Sequence, residues 1–273
     1  MSSHPSPTTR SKAGALVASA AALLPLGLLS PAQAAAADAP PGQGRGKAHA
    51  TAAVLDLDGG GRTPVVHGAD TAYDTASIVK VDILAALLLK AQDAKRHLTA
   101  EERGRAEPMI RHSDNAAANA LWREIGGASG LAAANKRLGL TSTTPGTGPK
   151  WGLTRTTASD QIRLLRAVFD GGTTANAHSP ALDARSRAYI RGLMSHVAPE
   201  QSWGVTAVSG SGSPRALKNG WLQRSTSGLW DVNSIGRVTV QGHRCLVAVL
   251  SNGSRSMTDG VSLVERTARD AVA

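Results

Sequence analysis

The chain has 273 residues, 41% of them hydrophobic and 18% charged, a balance that fits one large or two small globular domains and excludes a disordered chain. Its formal charge is +10, yet the basic residues are scattered and aromatics make up only 3%, which argues against nucleic-acid binding through a basic patch or stacked bases. The single cysteine, Cys245, excludes an intramolecular disulfide.

The N-terminus reads as a secretory signal peptide over residues 1–34. Arg10 and Lys12 form a short positive region, an apolar run follows from Ala13 to Leu29, and Ala32-Gln33-Ala34 is a small-residue cleavage site. Pro25 and Gly27 weigh against a permanent membrane anchor, and the lack of a twin arginine points to the general secretory route. Cleavage near Ala34 would release a secreted or cell-wall-associated protein with no membrane contact. Losing Arg10 and Lys12 leaves a charge of +8, which favours loose association with an anionic cell wall. Residues 35–47, rich in Ala, Pro and Gly, read as a flexible leader, and the folded domain as 48–273.

Within that domain, Ala52 to Leu55 and Thr63 to His67 read as strands around a turn at Asp58-Gly59-Gly60-Gly61. Ser77 to Ala91 reads as a helix apolar on most sides, hence central and buried. Thr99-Ala100-Glu101-Glu102 is a capping box for the next helix. Further helices are expected from Ala116 to Ile125, from Ser129 to Leu138, from the Thr157–Asp160 cap to Gly171-Gly172, and from Asp183 to Met194. Residues 140–156 read as a loop. The pattern then changes to strands near Leu217–Leu222, Trp230–Thr239 and Arg244–Leu250, and a helix from Gly260 to Val272 closes the chain. Strands from both ends with helices between predict an α/β (α+β) fold, an antiparallel sheet flanked by helices plus an all-helical lobe. Cys245 falls in an apolar strand and reads as a buried, inert thiol.

Three short patterns carry chemistry. In Ser77-Ile78-Val79-Lys80 the serine and lysine share one face of a helix, so a lysine depressed by burial can take the serine's proton. The same pattern also fits a helix cap followed by a snorkelling lysine. Ser113-Asp114-Asn115 places a hydroxyl and an amide just before a helix, where they can relay a proton and hold a substrate carbonyl, or simply cap that helix. Lys218-Asn219-Gly220 places a cation on a strand beside a glycine that admits a close neighbour, and fits an edge-strand lysine beside a bulge equally well. His112 adjoins Ser113 and reads as a surface histidine. No G-x-S-x-G, H-E-x-x-H or phosphate-loop pattern occurs, so neither metal nor cofactor is expected.

In that order the three patterns resemble class A β-lactamases and penicillin-binding serine hydrolases, from about Ala48 to Val272. The resemblance implies a two-lobed fold and acyl transfer through Ser77, with Lys80 as its base and Ser113 as proton shuttle. Asn115, Lys218, Asn219, Gly220 and Trp221 would bind substrate, and the backbone N–H groups of Ser77 and Trp221 would form the oxyanion hole. The implied substrate is a β-lactam or a peptidoglycan stem peptide ending in D-alanyl-D-alanine. Two departures matter. Residues 125 to 199 hold no glutamate that would activate a deacylating water, and Asn219 replaces the hydroxyl residue in the middle of K-T-G. Slow deacylation follows, and a D,D-peptidase, an esterase or a non-catalytic wall-binding module stand as alternatives.

Overall fold

The computed structural model describes residues 47–59, 63–170 and 181–273. The expected signal peptide, nearly all of the leader, part of the Asp58–Gly61 turn and the Gly171-Gly172 helix stop lie outside the described residues.

Five strands form one antiparallel sheet. Strand β1 (His49–Asp56) pairs with β2 (Val65–His67) on one side and with β7 (His243–Ser254) on the other. Beyond β7 lie β6 (Trp230–Val240) and β5 (Ala216–Gln223), so the order is β2-β1-β7-β6-β5 and β5 is an edge. Side chains alternate across the pleat. In β7, Leu246, Ala248 and Leu250 enter one core cluster, whereas Cys245, Val247 and Val249 enter another on the opposite face. The last helix, α7 (Met257–Val272), covers that second face with Val264 and Ala268. It starts three residues before the expected Gly260 because the Ser256 side chain caps it, accepting from Asp259 N at 3.0 Å.

The first face packs against helical layers. Helix α1 (Val79–Asp93) is buried on nearly every side, as its apolar sequence requires, and two ionisable side chains, Lys80 and Asp82, are buried with it. Around it stand α2 (Ala100–Arg111), α3 (Asn115–Glu124), α4 (Gly127–Leu138), α5 (Ala158–Phe169) and α6 (Ala184–Met194). The capping residues set their starts. Thr99 and Glu102 form the reciprocal box, Asp114 accepts from Ala117 N at 2.6 Å, Thr157 from Asp160 N at 3.2 Å, and Asp183 from Ser186 N at 2.7 Å. Gly126, at φ +88°, turns the chain between α3 and α4 in a conformation that glycine adopts without strain. The resulting mix of a five-stranded antiparallel sheet and seven α-helices among the described residues matches the expected fold class.

The segment expected as a loop holds more. A 3-10 turn at Trp151–Leu153 leads into β4 (Arg155–Thr156), which pairs with β3 (Tyr73–Asp74) just before Ser77. Two-residue strands are too short to show alternation, so no periodic signal marks them.

Candidate active site

Ser77 sits in a 3-10 turn (Ala76–Ile78) that runs directly into α1. Ala76 is held at φ 46°, a left-handed conformation unusual for alanine, and Ser113 is likewise at φ 57°. Strain of this kind persists only where surrounding contacts enforce it. Those contacts are visible. Asn233, fully buried on β6, donates its amide to the carbonyls of Asp74 at 2.9 Å and Thr75 at 3.1 Å, while its own Oδ1 accepts from Ser251 N at 3.0 Å. Thr75 N also donates to Thr154 O at 2.8 Å. The Ser77 turn is thus tied to the sheet and to the 140–156 segment.

Lys80 is the hub. Its Nζ lies 3.0 Å from Ser77 Oγ, 3.1 Å from Ser113 Oγ, 2.8 Å from Asn115 Oδ1 and 2.6 Å from the Ser113 carbonyl. From the other side Lys218 Nζ reaches Ser113 Oγ at 2.9 Å and its neighbour's carbonyl, Asn219 O, at 2.8 Å. Ser77, Lys80, Ser113 and Lys218 therefore form one continuous hydrogen-bonded chain. Both lysines are fully buried. Burial lowers Lys80 to about 7 against the opposing pull of the Asp114 carboxylate. Lys218 falls well below the lysine range, through burial first and the Lys80 charge second. Two amines competing for protons around one hydroxyl are placed to pass a proton along that chain.

Not every expected contact holds. Along β5, Lys218 and Gly220 face Ser77, so Asn219 and Trp221 face the other way. The Asn219 amide donates to Gln201 O at 2.8 Å and Trp203 O at 3.1 Å and accepts from Ser234 Oγ at 2.6 Å. Trp221 meets the Trp203 ring at 5.9 Å between centroids. Both side chains are corrected from substrate contacts to packing on the α7 side of the sheet, as strand alternation demands. The close neighbour that Gly220 admits is also not substrate. A Cβ there would stand 2.7 Å from Ser77 N and 2.8 Å from both Ile78 N and Thr75 O, so the glycine lets the Ser77 turn itself lie against β5. Asn115 is exposed at the start of α3, and His112 is exposed at the end of α2.

Two polar residues escaped the sequence reading. Asn233 stands in a strand of mixed polarity, and the two carbonyls its amide meets, of Asp74 and Thr75, lie more than 150 residues away. Trp151 stands in a run of Gly, Pro and Thr; its ring centroid is 4.9 Å from Lys80 Nζ and its Nε1 donates to Asn119 Oδ1 at 2.7 Å. Asp160, the acid nearest in sequence to this segment, is turned elsewhere: it accepts from Ser142 N and Thr143 Oγ1, both at 2.7 Å, and pairs with Arg163. Among the described residues no cluster of His, Cys, Asp or Glu is placed to hold a metal ion.

Residues 103–273 match the model of the beta-lactamase enzyme family. The chain belongs to that family. The fold agrees with that membership. The solved structure of PBP-A superposes with a TM-score of 0.67 at 22% identity, covering 81% of this chain and 88% of that one. The TLA-1 extended-spectrum beta-lactamase superposes at 0.69 and 17%, covering 82% and 92%. A beta-lactamase from Chitinophaga pinensis gives 0.67 and 16%, covering 81% and 92%. At these identities the structures speak for the fold alone. In sequence, a Mycobacterium tuberculosis protein that carries the name lipoprotein LppW is 33% identical over 107 residues, 39% of this chain. The chain spans about a third of the length of the curated relatives it matches (34%).

Proposed function

We propose that this family member forms an acyl-enzyme on Ser77 with an amide or ester that lies near a carboxylate, and releases it slowly to water. The observation that carries this reading is the unbroken chain Ser77 Oγ–Lys80 Nζ–Ser113 Oγ–Lys218 Nζ, with links of 3.0, 3.1 and 2.9 Å. Neutral Lys80 takes the Ser77 proton as Oγ adds to the carbonyl carbon. The backbone N–H groups of Ser77 and Trp221 receive the developing oxyanion. As the carbon–nitrogen bond breaks, the proton returns through Ser113 to the leaving nitrogen. Asn115 offers its amide to the substrate, and Lys218 draws its carboxylate toward the site.

The substrates this chemistry fits are β-lactams and stem peptides ending in D-alanyl-D-alanine. No glutamate lies in residues 125–199, and the nearest acid, Asp160, is committed to residues 142, 143 and 163; both facts support slow deacylation. The signal-like N-terminus and a relative named as a lipoprotein support export, with the folded domain at 48–273. Among the described residues no helix is long and apolar enough to cross a membrane. Turnover of a chromogenic cephalosporin and of a thioester depsipeptide, measured for the wild type and Ser77→Ala, separates the enzyme from a wall-binding module. The enzyme turns over at least one of them, and the variant neither; equal readings for the two proteins would sink the reading.

A further inference from the structure

Among the described residues Lys80 and Lys218 are the two fully buried lysines, and an aromatic ring lies over the Lys80 amine. The Trp151 ring centroid stands 4.9 Å from Lys80 Nζ. Trp151 is only half-buried, whereas Lys80 has no exposed surface. The indole therefore faces solvent on its outside and the amine on its inside. Its position is fixed twice. On one side Nε1 donates to Asn119 Oδ1 at 2.7 Å, on the same helix α3 that begins with Asn115. On the other, the Trp151–Leu153 turn is joined to the nucleophile turn through Thr75 N and Thr154 O at 2.8 Å. The two elements that bring reacting groups to Lys80 thus also hold the ring over it.

We propose that Trp151 is a positioning residue, a fixed aromatic lid that keeps water from the Lys80 amine. The inference rests on the reading of Lys80 as the base for Ser77. Before acylation the lid favours the neutral amine that can accept the serine proton. After acylation it denies water a place beside that amine, which would otherwise serve as the base against the ester.

Two effects of the ring oppose each other. An indole face attracts an ammonium, worth roughly one pKa unit toward the charged form. Excluding water acts toward the neutral form, in the same sense as the burial that lowers Lys80 to about 7, and the titration below decides between the two effects. The other charged groups near the amine are the Asp114 carboxylate at the start of α3, which favours its charge, and Lys218 on β5, whose own charge Lys80 disfavours. Ser77, Ser113 and Asn115 are neutral. Asp82, on the same helix, is buried beside Gln161.

The test reads the lysine directly. Protein labelled with carbon-13 at lysine Cε is titrated by NMR as wild type, Trp151→Ala, Trp151→Phe and Asn119→Ala, with Lys80→Met to assign the signal. The Lys80 midpoint is expected to rise by about one pH unit or more in Trp151→Ala and to stay near the wild type in Trp151→Phe, which keeps a ring there. At pH 9, where the amine is largely neutral in both proteins, the benzylpenicilloyl adduct of Trp151→Ala should clear several-fold faster than that of the wild type. An unchanged midpoint in Trp151→Ala, or equal shifts in the alanine and phenylalanine variants, overturns the lid. Should Trp151→Ala fail to fold, Asn119→Ala is expected to shift the midpoint the same way by less, and no shift overturns the proposal. A wild type that forms no adduct, or a Ser77→Ala variant that forms one, defeats the Ser77 reading instead, and the lysine titration still decides the lid.

Discussion

Gly220→Ala is the perturbation whose consequence can be worked furthest from the structure. The added methyl would lie 2.7–2.8 Å from three backbone atoms, Ser77 N, Ile78 N and Thr75 O. Ordinary contact begins at about 3.4 Å, so each pair is too close by roughly 0.6 Å, and no flexible side chain is available to yield. Either β5 moves off the Ser77 turn or the turn moves off β5. The first shifts Lys218, two residues away on the same face, and the second shifts Ser77. Overpacking of this kind costs about 1–3 kcal/mol. At roughly 2–4 °C per kcal/mol for a domain of this size, Tm falls by about 2–12 °C. Displacing a nucleophile by a good fraction of an ångström lowers acylation on the order of 100-fold. Gly104→Ala is the control: it sits in α2 with nothing within 4 Å of the new methyl, so stability holds or rises slightly. Calorimetry gives Tm, and intact-mass kinetics with benzylpenicillin gives the acylation rate. A Gly220→Ala protein that acylates like the wild type would refute the close packing of strand and nucleophile turn as the source of the site's geometry.

Three further expectations follow from the buried charges. Acylation requires neutral Lys80, so its rate should rise about tenfold per pH unit below 7 and level off above it; a rate flat from pH 5 to 8 would contradict Lys80 as base. Lys218→Ala should weaken binding of substrates that carry a carboxylate while sparing neutral esters, read as KM for matched pairs; equal KM changes for both would remove its assigned role. Asp82 is fully buried beside Gln161, and burial raises it to about 8. Its protonated form favours the folded state, a contribution complete below the unfolded value near 3.8 and lost as pH rises through 8, at roughly 1.4 kcal/mol per unit. Asp82→Asn should therefore flatten the fall of Tm between pH 5 and 8, and parallel Tm curves for variant and wild type would show that Asp82 is not neutral in the fold.

The elements legible in the sequence were those with a local physical cause. The apolar wrap of α1 announces burial, and Thr99, Thr157 and Asp183 mark helix starts because a side-chain oxygen there meets backbone N–H groups within three residues. Ser77 and Lys80 are one helical turn apart, so their meeting needs no tertiary information. Ser113 and Lys218 could be joined to them only through the resemblance, since the contact spans 105 residues. Strand alternation already implied that Asn219 and Trp221 oppose Lys218 and Gly220, and the resemblance obscured it. Trp151 and Asn233 stayed hidden for a different reason. Each acts through partners distant in the chain, and neither interrupts a period that would draw notice.

Acylation of Ser77 is the central claim, and intact mass of the mature protein mixed with benzylpenicillin, followed over time beside Ser77→Ala, tests it most directly. The account predicts that one penicilloyl group is added to the wild type and persists, and that the variant's mass does not change. A wild type that gains no mass, or a Ser77→Ala protein that gains the same adduct, would contradict it.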